Sequence, residues 1–235
     1  MKTLYGLGVG PGDPELLTLK AASILSRCRR IFAPRGDHSE TSVALAIAGA
    51  HLHPEALVEE LVFPMTRDSE VLSRSWGEAA HQVAGALSQE NACFLTLGDP
   101  LLYSTFIYLA RAVREILPEA QVVTVPGITS FSAAAALTGF PLGEAKHPLV
   151  VIPTCDDLEP IRKALGMKGT VVLMKIGRRL ESILKLLEEE GLLDRGAFVA
   201  RAGQDGQRIE TDLRKLRGDS ERAGYLSIIL VEARP

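Results

Sequence analysis

Two aspartates share one local setting, and it is the most informative setting in this 235-residue chain. Asp13 lies in Gly12-Asp13-Pro14 and Asp99 in Gly98-Asp99-Pro100. Each tripeptide follows an apolar run, Leu4 to Val9 or Cys93 to Leu97, and precedes a helical pattern. A strand that stops at a Gly/Pro loop before a helix puts that loop at the carboxyl end of a sheet, where open α/β sheets bind their ligands. The two loops therefore read as two walls of one small-molecule site. Asp13 doubles as a helix cap, since Pro14 suits the first helical position and Glu15 the positive helix end. Pro100 disfavours helical geometry at Asp99. That leaves the Asp99 carboxylate to point across the strand ends, and makes it the candidate for catalysis.

The common nucleotide loops do not fit. In Gly6-Leu-Gly8-Val-Gly10-Pro-Gly12 the third glycine of a Gly-x-Gly-x-x-Gly fingerprint falls on Pro11 or on Asp13, depending on register. The second strand ends at Ala33-Pro34, without the acidic residue a ribose requires, and no Gly-Lys-Ser/Thr exists for a Walker loop. His51 and His53 flank Leu52 with no third ligand in view, so no metal site is expected. Cys28, Cys93 and Cys155 are widely spaced and lack a Cys-x-x-Cys pair; they read as reduced thiols of a cytoplasmic protein.

Alternating elements position these loops. Strands are predicted at 3–9, 30–34, 57–63, 92–97 and 121–125, with helices at 13–28, 42–50, 69–89, 103–117 and 130–137. Residues 138–148 are rich in breakers, which places a domain boundary there. Further strands follow at 149–152, 170–176, 197–202 and 225–231, an edge strand at 208–211, and helices at 158–165 and 180–190, the last closed by Gly191. Strand–helix alternation implies an α/β fold with mostly parallel or mixed sheets, in an N-terminal domain of residues 1–143 and a C-terminal domain of residues 144–235.

Composition narrows the function classes. The chain is 46% hydrophobic and 23% charged, enough to bury real cores. With 26 Lys+Arg against 29 Asp+Glu the net charge is −3, which advertises neither a nucleic-acid nor a membrane-surface partner. No apolar stretch approaches the roughly 18 residues of a spanning helix, and Met1-Lys2-Thr3-Leu4 runs straight into a strand, so no signal peptide is expected.

The motifs resemble those of a known family. Gly8-Val-Gly-Pro-Gly-Asp-Pro-Glu-Leu-Leu-Thr-Leu-Lys-Ala21 resembles the opening signature of the tetrapyrrole (corrin/porphyrin) methyltransferases. Leu95-Thr-Leu-Gly-Asp-Pro-Leu-Leu-Tyr-Ser-Thr105 resembles their second signature and Pro126-Gly-Ile-Thr-Ser130 their third; Val171-Val-Leu-Met174 and Tyr225-Leu-Ser-Ile228 are similar to later ones. Tyr103-Ser-Thr-Phe-Ile-Tyr-Leu109 and Phe63-Pro-Met-Thr-Arg-Asp68 look most like the precorrin-2 C-20-methyltransferase branch, which acts on metal-free precorrin-2 or on its cobalt-bearing form.

The resemblance implies two α/β domains with the active site in the cleft between them, and S-adenosylmethionine as methyl donor. It implies a tetrapyrrole acceptor, no protein-bound metal, and a homodimer. Carried over by motif, cofactor contacts fall on Pro11, Leu97, Gly98, Asp99, Leu102, Tyr103, Thr129, Ser130, Met174, Ala202, Tyr225, Leu226 and Ser227. Leu97-Gly98 stands where related enzymes often have two glycines, so Leu97 offers a backbone contact only. Candidate acceptor contacts are Asp13, Arg35 and Lys146; Arg67, Arg178 and Arg201 are further basic residues near strand ends, suited to carboxylates. Other acceptors within the fold (another corrin position, uroporphyrinogen III, diphthine or an rRNA ribose), a non-catalytic corrinoid carrier and an oxidoreductase are the competing readings.

Overall fold

A computed structural model describes residues 2–66, 68–219, 224 and 226–233. The chain divides into two compact units, Met1–Thr129 and Ser130–Pro235.

The first unit is a doubly wound sheet. Strands β1 (Thr3–Gly8), β2 (Arg30–Gly36), β3 (Leu57–Phe63), β4 (Ala92–Thr96) and β5 (Gln121–Val125) lie in the order β3-β2-β4-β1-β5, all parallel. Side chains alternate faces along each strand. Ala92 and Phe94 thus join Phe32, Leu61 and Phe63 beneath the helices α3 (Ser69–Leu87) and α4 (Phe106–Ile116). Cys93 and Leu95 join Leu7, Ile31 and Ala33 beneath α1 (Leu19–Leu25) and α2 (Val43–Ala48). Such near-continuous apolar strands are what a sheet covered on both faces requires. Gly6 exists for packing: a Cβ there would overlap the Phe106 ring, which is only 1% exposed.

The second unit has a mixed sheet. Strands β6 (Leu149–Pro153), β7 (Thr170–Met174), β8 (Gly196–Ala200), β9 (Arg208–Glu210) and β10 (Ser227–Glu232) take the order β6-β7-β10-β8-β9, with β10 antiparallel to both neighbours. One face (Val171, Leu173, Phe198, Ile229, Val231) packs with residues of α6 (Glu159–Leu165) and α7 (Leu180–Glu189). The other (Val172, Val199, Ile228, Leu230) packs with Ala133 and Ala134 of α5 (Ser130–Thr138).

Three expectations change. The unit boundary falls at Thr129/Ser130, not at 143/144, because α5 lends its alanines to the second sheet. The helix expected over 13–28 is two pieces. A 3-10 turn at Pro14–Leu16 is capped by Asp13, Leu17 is extended (ψ 136), and Thr18 opens α1 by accepting from the Ala21 N–H at 3.2 Å. The helix expected from 103 starts at Phe106, because Tyr103 has φ 50 and the Ser104 hydroxyl accepts from the Phe106 N–H at 3.0 Å.

Candidate active site

In the first sheet the chain leaves β1 toward β2 on one side and leaves β4 toward β5 on the other. The two strands are neighbours, so the carboxyl ends of β1 and β4 mark the switch point where such sheets bind ligands. Both Gly-Asp-Pro loops leave from there. They are zipped together: Val9 donates to the Thr96 carbonyl at 2.9 Å, Gly98 to the Gly10 carbonyl at 2.8 Å, and Gly10 to the Gly98 carbonyl at 3.4 Å. Gly10 (φ 79) and Gly98 (φ 74) adopt the left-handed conformation that glycine alone takes without strain. A third loop, after β5, presses against them. A Cβ on Gly8 would lie 2.6 Å from the Gly98 oxygen and 2.5 Å from the Gly127 nitrogen. The carboxyl edge is therefore paved with main chain.

Asp99 ties the pieces together. Its Oδ1 accepts from the Leu101 N–H at 2.9 Å and its Oδ2 from the Gly127 N–H at 3.0 Å, bridging the second and third loops. In this structure both carboxylate oxygens of Asp99 are engaged with main chain. The same loop carries Leu97, Leu102, whose N–H reaches the Asp99 carbonyl at 3.4 Å, and Tyr103, 45% exposed. Pro11 is buried beside Gly10, and Thr129 is the last residue of the first unit, directly before Ser130 at the start of α5. Thr96, 6% exposed at the end of β4, has a hydroxyl with no hydrogen-bond partner among the described residues.

The candidate acceptor contacts fare differently. Asp13 caps the Pro14–Leu16 turn by accepting from the Glu15 N–H at 2.8 Å. Arg35 ends β2 on the carboxyl edge, but its guanidinium stands 3.1 Å from Glu60 and donates to the Ser39 carbonyl at 2.5 Å. Glu60 in turn accepts from the Ser42 N–H at 2.8 Å, so Arg35 belongs to a β2–β3–α2 lock. Lys146 is exposed in the loop before β6, at the amino edge of the second sheet, where the Pro148 carbonyl accepts from Thr170. Arg67 and Tyr225 lie outside the described residues.

At the opposite, carboxyl edge of the second sheet the remaining candidates do converge. Ile228 of β10 is in register with Met174 of β7 and with Val199 of β8. Met174, Ala202, Leu226 and Ser227 thus lie along one edge. The Leu226 carbonyl accepts from Arg201 at 2.8 Å, and the buried Ser227 hydroxyl donates to the Gly224 carbonyl at 2.9 Å. Thr154, after β6, bonds the Met174 carbonyl through its N–H and the Lys175 carbonyl through its hydroxyl, each at 2.8 Å. Sequence reasoning passed over Thr96, Thr154 and Lys175. The available signal was a polar residue at the end of an apolar run.

A doubly wound unit with a glycine-paved switch point, followed by a smaller mixed sheet, defines a two-unit α/β protein of the tetrapyrrole methylase type. The chain matches the family of Tetrapyrrole (Corrin/Porphyrin) Methylases over residues 3–217, and it belongs to that family. It is 35% identical to a cobalt-precorrin-2 C(20)-methyltransferase of Salmonella typhimurium, over 97% of this chain and 95% of the other. It is 33% identical to a probable cobalt-precorrin-2 C(20)-methyltransferase of Methanocaldococcus jannaschii (99% and 96%) and 29% identical to a precorrin-2 C(20)-methyltransferase of a Sinorhizobium species (97% and 94%). Among solved structures it resembles a cobalt precorrin-4 methyltransferase, with a TM-score of 0.75 at 20% identity, covering 99% of this chain and 96% of that one; this likeness speaks to the fold alone.

Proposed function

We propose that the protein transfers a methyl group from S-adenosylmethionine to C-20 of a precorrin-2-type tetrapyrrole in corrin biosynthesis. The observation that carries this reading is the main-chain floor of Gly8, Gly10, Gly98 and Gly127 at the switch point of a family member. Glycine lets a ligand approach the backbone closely. Edge carbonyls and N–H groups suit the amino-acid end of the cofactor, and the partly buried Met174 with the buried Ala202 suits an apolar adenosine surface. The Thr96 hydroxyl, without a hydrogen-bond partner among the described residues, adds a polar group beside that floor.

The sulfonium supplies an activated leaving group when bound, and the electron-rich acceptor carbon is the nucleophile. The chain's residues are then required to bind, align and exclude water, not to supply a strong acid. That division of labour agrees with an Asp99 engaged with backbone.

The two relatives at 33% and 35% identity are named for the cobalt form and the one at 29% for the metal-free form, so we favour the cobalt-bearing acceptor. We also infer a homodimer in the cytoplasm; the edge strand β3 exposes Val58 (40%) and Val62 (46%) on one face, an apolar surface for a second copy. Sedimentation tests the dimer. Mass spectrometry of precorrin-2 and cobalt-precorrin-2 incubated with methyl-labelled cofactor tests the activity. One added methyl at C-20 is expected; label on neither acceptor refutes the assignment.

A further inference from the structure

Five described non-glycine residues have a left-handed backbone: Tyr103, Ala145, Lys168, Lys175 and Arg201. Lys168 follows α6, where its N–H closes a turn onto Leu165, and Ala145 sits in a turn closed from His147 to Glu144. Lys175 (φ 58) and Arg201 (φ 50) are different. Each is the first residue past a strand, β7 and β8 respectively, on the carboxyl edge of the second sheet. A long side chain in this conformation is strained, and such strain persists only where surrounding structure enforces it.

The enforcing contacts are visible. The hydroxyl of Thr154, itself 7% exposed, donates to the Lys175 carbonyl at 2.8 Å. The Arg201 N–H donates to the Leu226 carbonyl at 2.8 Å and its carbonyl accepts from Gln204 at 2.9 Å. Because Met174 pairs with Ile228 and Ala200 with Ser227, the two basic residues flank the start of β10 on either side. Two inter-strand spacings separate their backbones by about 10 Å. Glycine would occupy both positions without strain, yet the chain carries a cation at each.

We propose that Lys175 and Arg201 form a two-point cationic edge that binds carboxylates of the reaction's ligands, chiefly those on the rim of the tetrapyrrole acceptor. The inference rests on the methyl-transfer reading above. Burial pushes the Lys175 ammonium below its ordinary pKa, so a carboxylate placed against it would restore the charged form. Arg201, whose Nη1 reaches the Asp205 carbonyl of its own loop at 3.5 Å, adds a planar fork with further donors suited to a second carboxylate. The same chemistry occurs on the amino-acid end of the cofactor, and the test separates the two sources.

The experiment compares wild type with Lys175→Met, Lys175→Gly and Arg201→Gly. It reads melting temperature, S-adenosylhomocysteine affinity by calorimetry, and kcat and KM for the cobalt-bearing acceptor. The expected result for each variant is an acceptor KM raised about tenfold, the loss of one charge-assisted hydrogen bond, with homocysteine-nucleoside affinity unchanged. Lys175→Gly should melt no lower than wild type, which separates a binding loss from a folding loss. Weakened nucleoside binding with an unchanged acceptor KM would support carboxylate capture but assign it to the cofactor. If the glycine variants keep both wild-type values, the inference is overturned. Should wild type methylate neither acceptor, the functional reading has failed on its own. Calorimetric titrations with the cobalt-bearing acceptor and with the nucleoside then decide, and unchanged affinity for both in all three variants overturns the inference.

Discussion

Replacing Asp99 tests whether its carboxylate organises loops or moves protons. Asp99→Ala removes two hydrogen bonds from one side chain, to Leu101 N–H at 2.9 Å and Gly127 N–H at 3.0 Å. Bonds to a charged group contribute about 1.5–3 kcal/mol each when shielded from water. The Leu101 bond is exposed, so water replaces it cheaply, whereas the Gly127 bond is partly buried. The combined loss is therefore about 2–3 kcal/mol, an estimate dominated by the Gly127 N–H. At roughly 2–4 °C per kcal/mol for a chain of this size, the first unit should melt about 6 °C lower. Asp99→Asn offers one acceptor oxygen and one NH2, and the NH2 faces a donor whichever way it turns. It should retain one bond and fall between wild type and Asp99→Ala. Thermal melting monitored by circular dichroism and an S-adenosylhomocysteine titration check the order. If the floor places the cofactor, affinity should fall about tenfold in Asp99→Ala, equivalent to 1.4 kcal/mol, with no change in the shape of the pH–rate profile. Melting within about 1 °C of wild type, together with a lost limb in the pH–rate profile of Asp99→Asn, would refute the positional role and restore a proton-transfer one.

Other expectations follow from the same contacts. Gly127→Ala drives a methyl into the Gly8 and Gly98 backbone and should cost about 1–3 kcal/mol or more in urea unfolding. Gly85→Ala, in α3 with open space around it, should instead gain up to about 1 kcal/mol. Thr96→Val removes a buried hydroxyl without a partner among the described residues and should stabilise the ligand-free protein by about 1 kcal/mol in the same assay. Burial lowers the pKa of Lys175 in the folded state, so between that lowered value and the unfolded one the unfolded chain holds the extra proton and stability rises with pH. Lys175→Met should therefore melt higher than wild type at neutral pH, and the gap should close as pH climbs toward the ordinary lysine value.

Strand positions in the first unit were legible because each buried strand there is a short apolar run that leads into Gly or Pro. Both faces of β4 are covered, so Ala92 to Leu95 reads as unbroken hydrophobicity. The Gly-Asp-Pro loops were legible as ligand loops because they coincide with two such ends. Their glycines were not: that Gly8 touches Gly127 while Gly6 touches the Phe106 ring depends on contacts across a hundred residues or more. Helix 13–28 was misread because Leu16, Leu17 and Leu19 continue an apolar pattern through the extended Leu17, and only the Thr18 cap interrupts it. The small-residue helix α5 carries no strong apolar face of its own, so nothing local assigned it to the second unit. Arg35 shows the limit for charged residues, since its partner Glu60 lies on a neighbouring strand. Lys146 reads as a basic residue near a strand end, and the register of β6 against β7 makes that end the amino edge.

The main-chain floor at the β1/β4 switch point is proposed to hold the methyl donor. A crystal structure with bound S-adenosylhomocysteine measures it directly. The amino-acid end of the nucleoside is expected in hydrogen-bond contact with the Leu97–Asp99 backbone. A nucleoside bound with no contact to the loops carrying Gly10, Gly98 and Gly127 would contradict it.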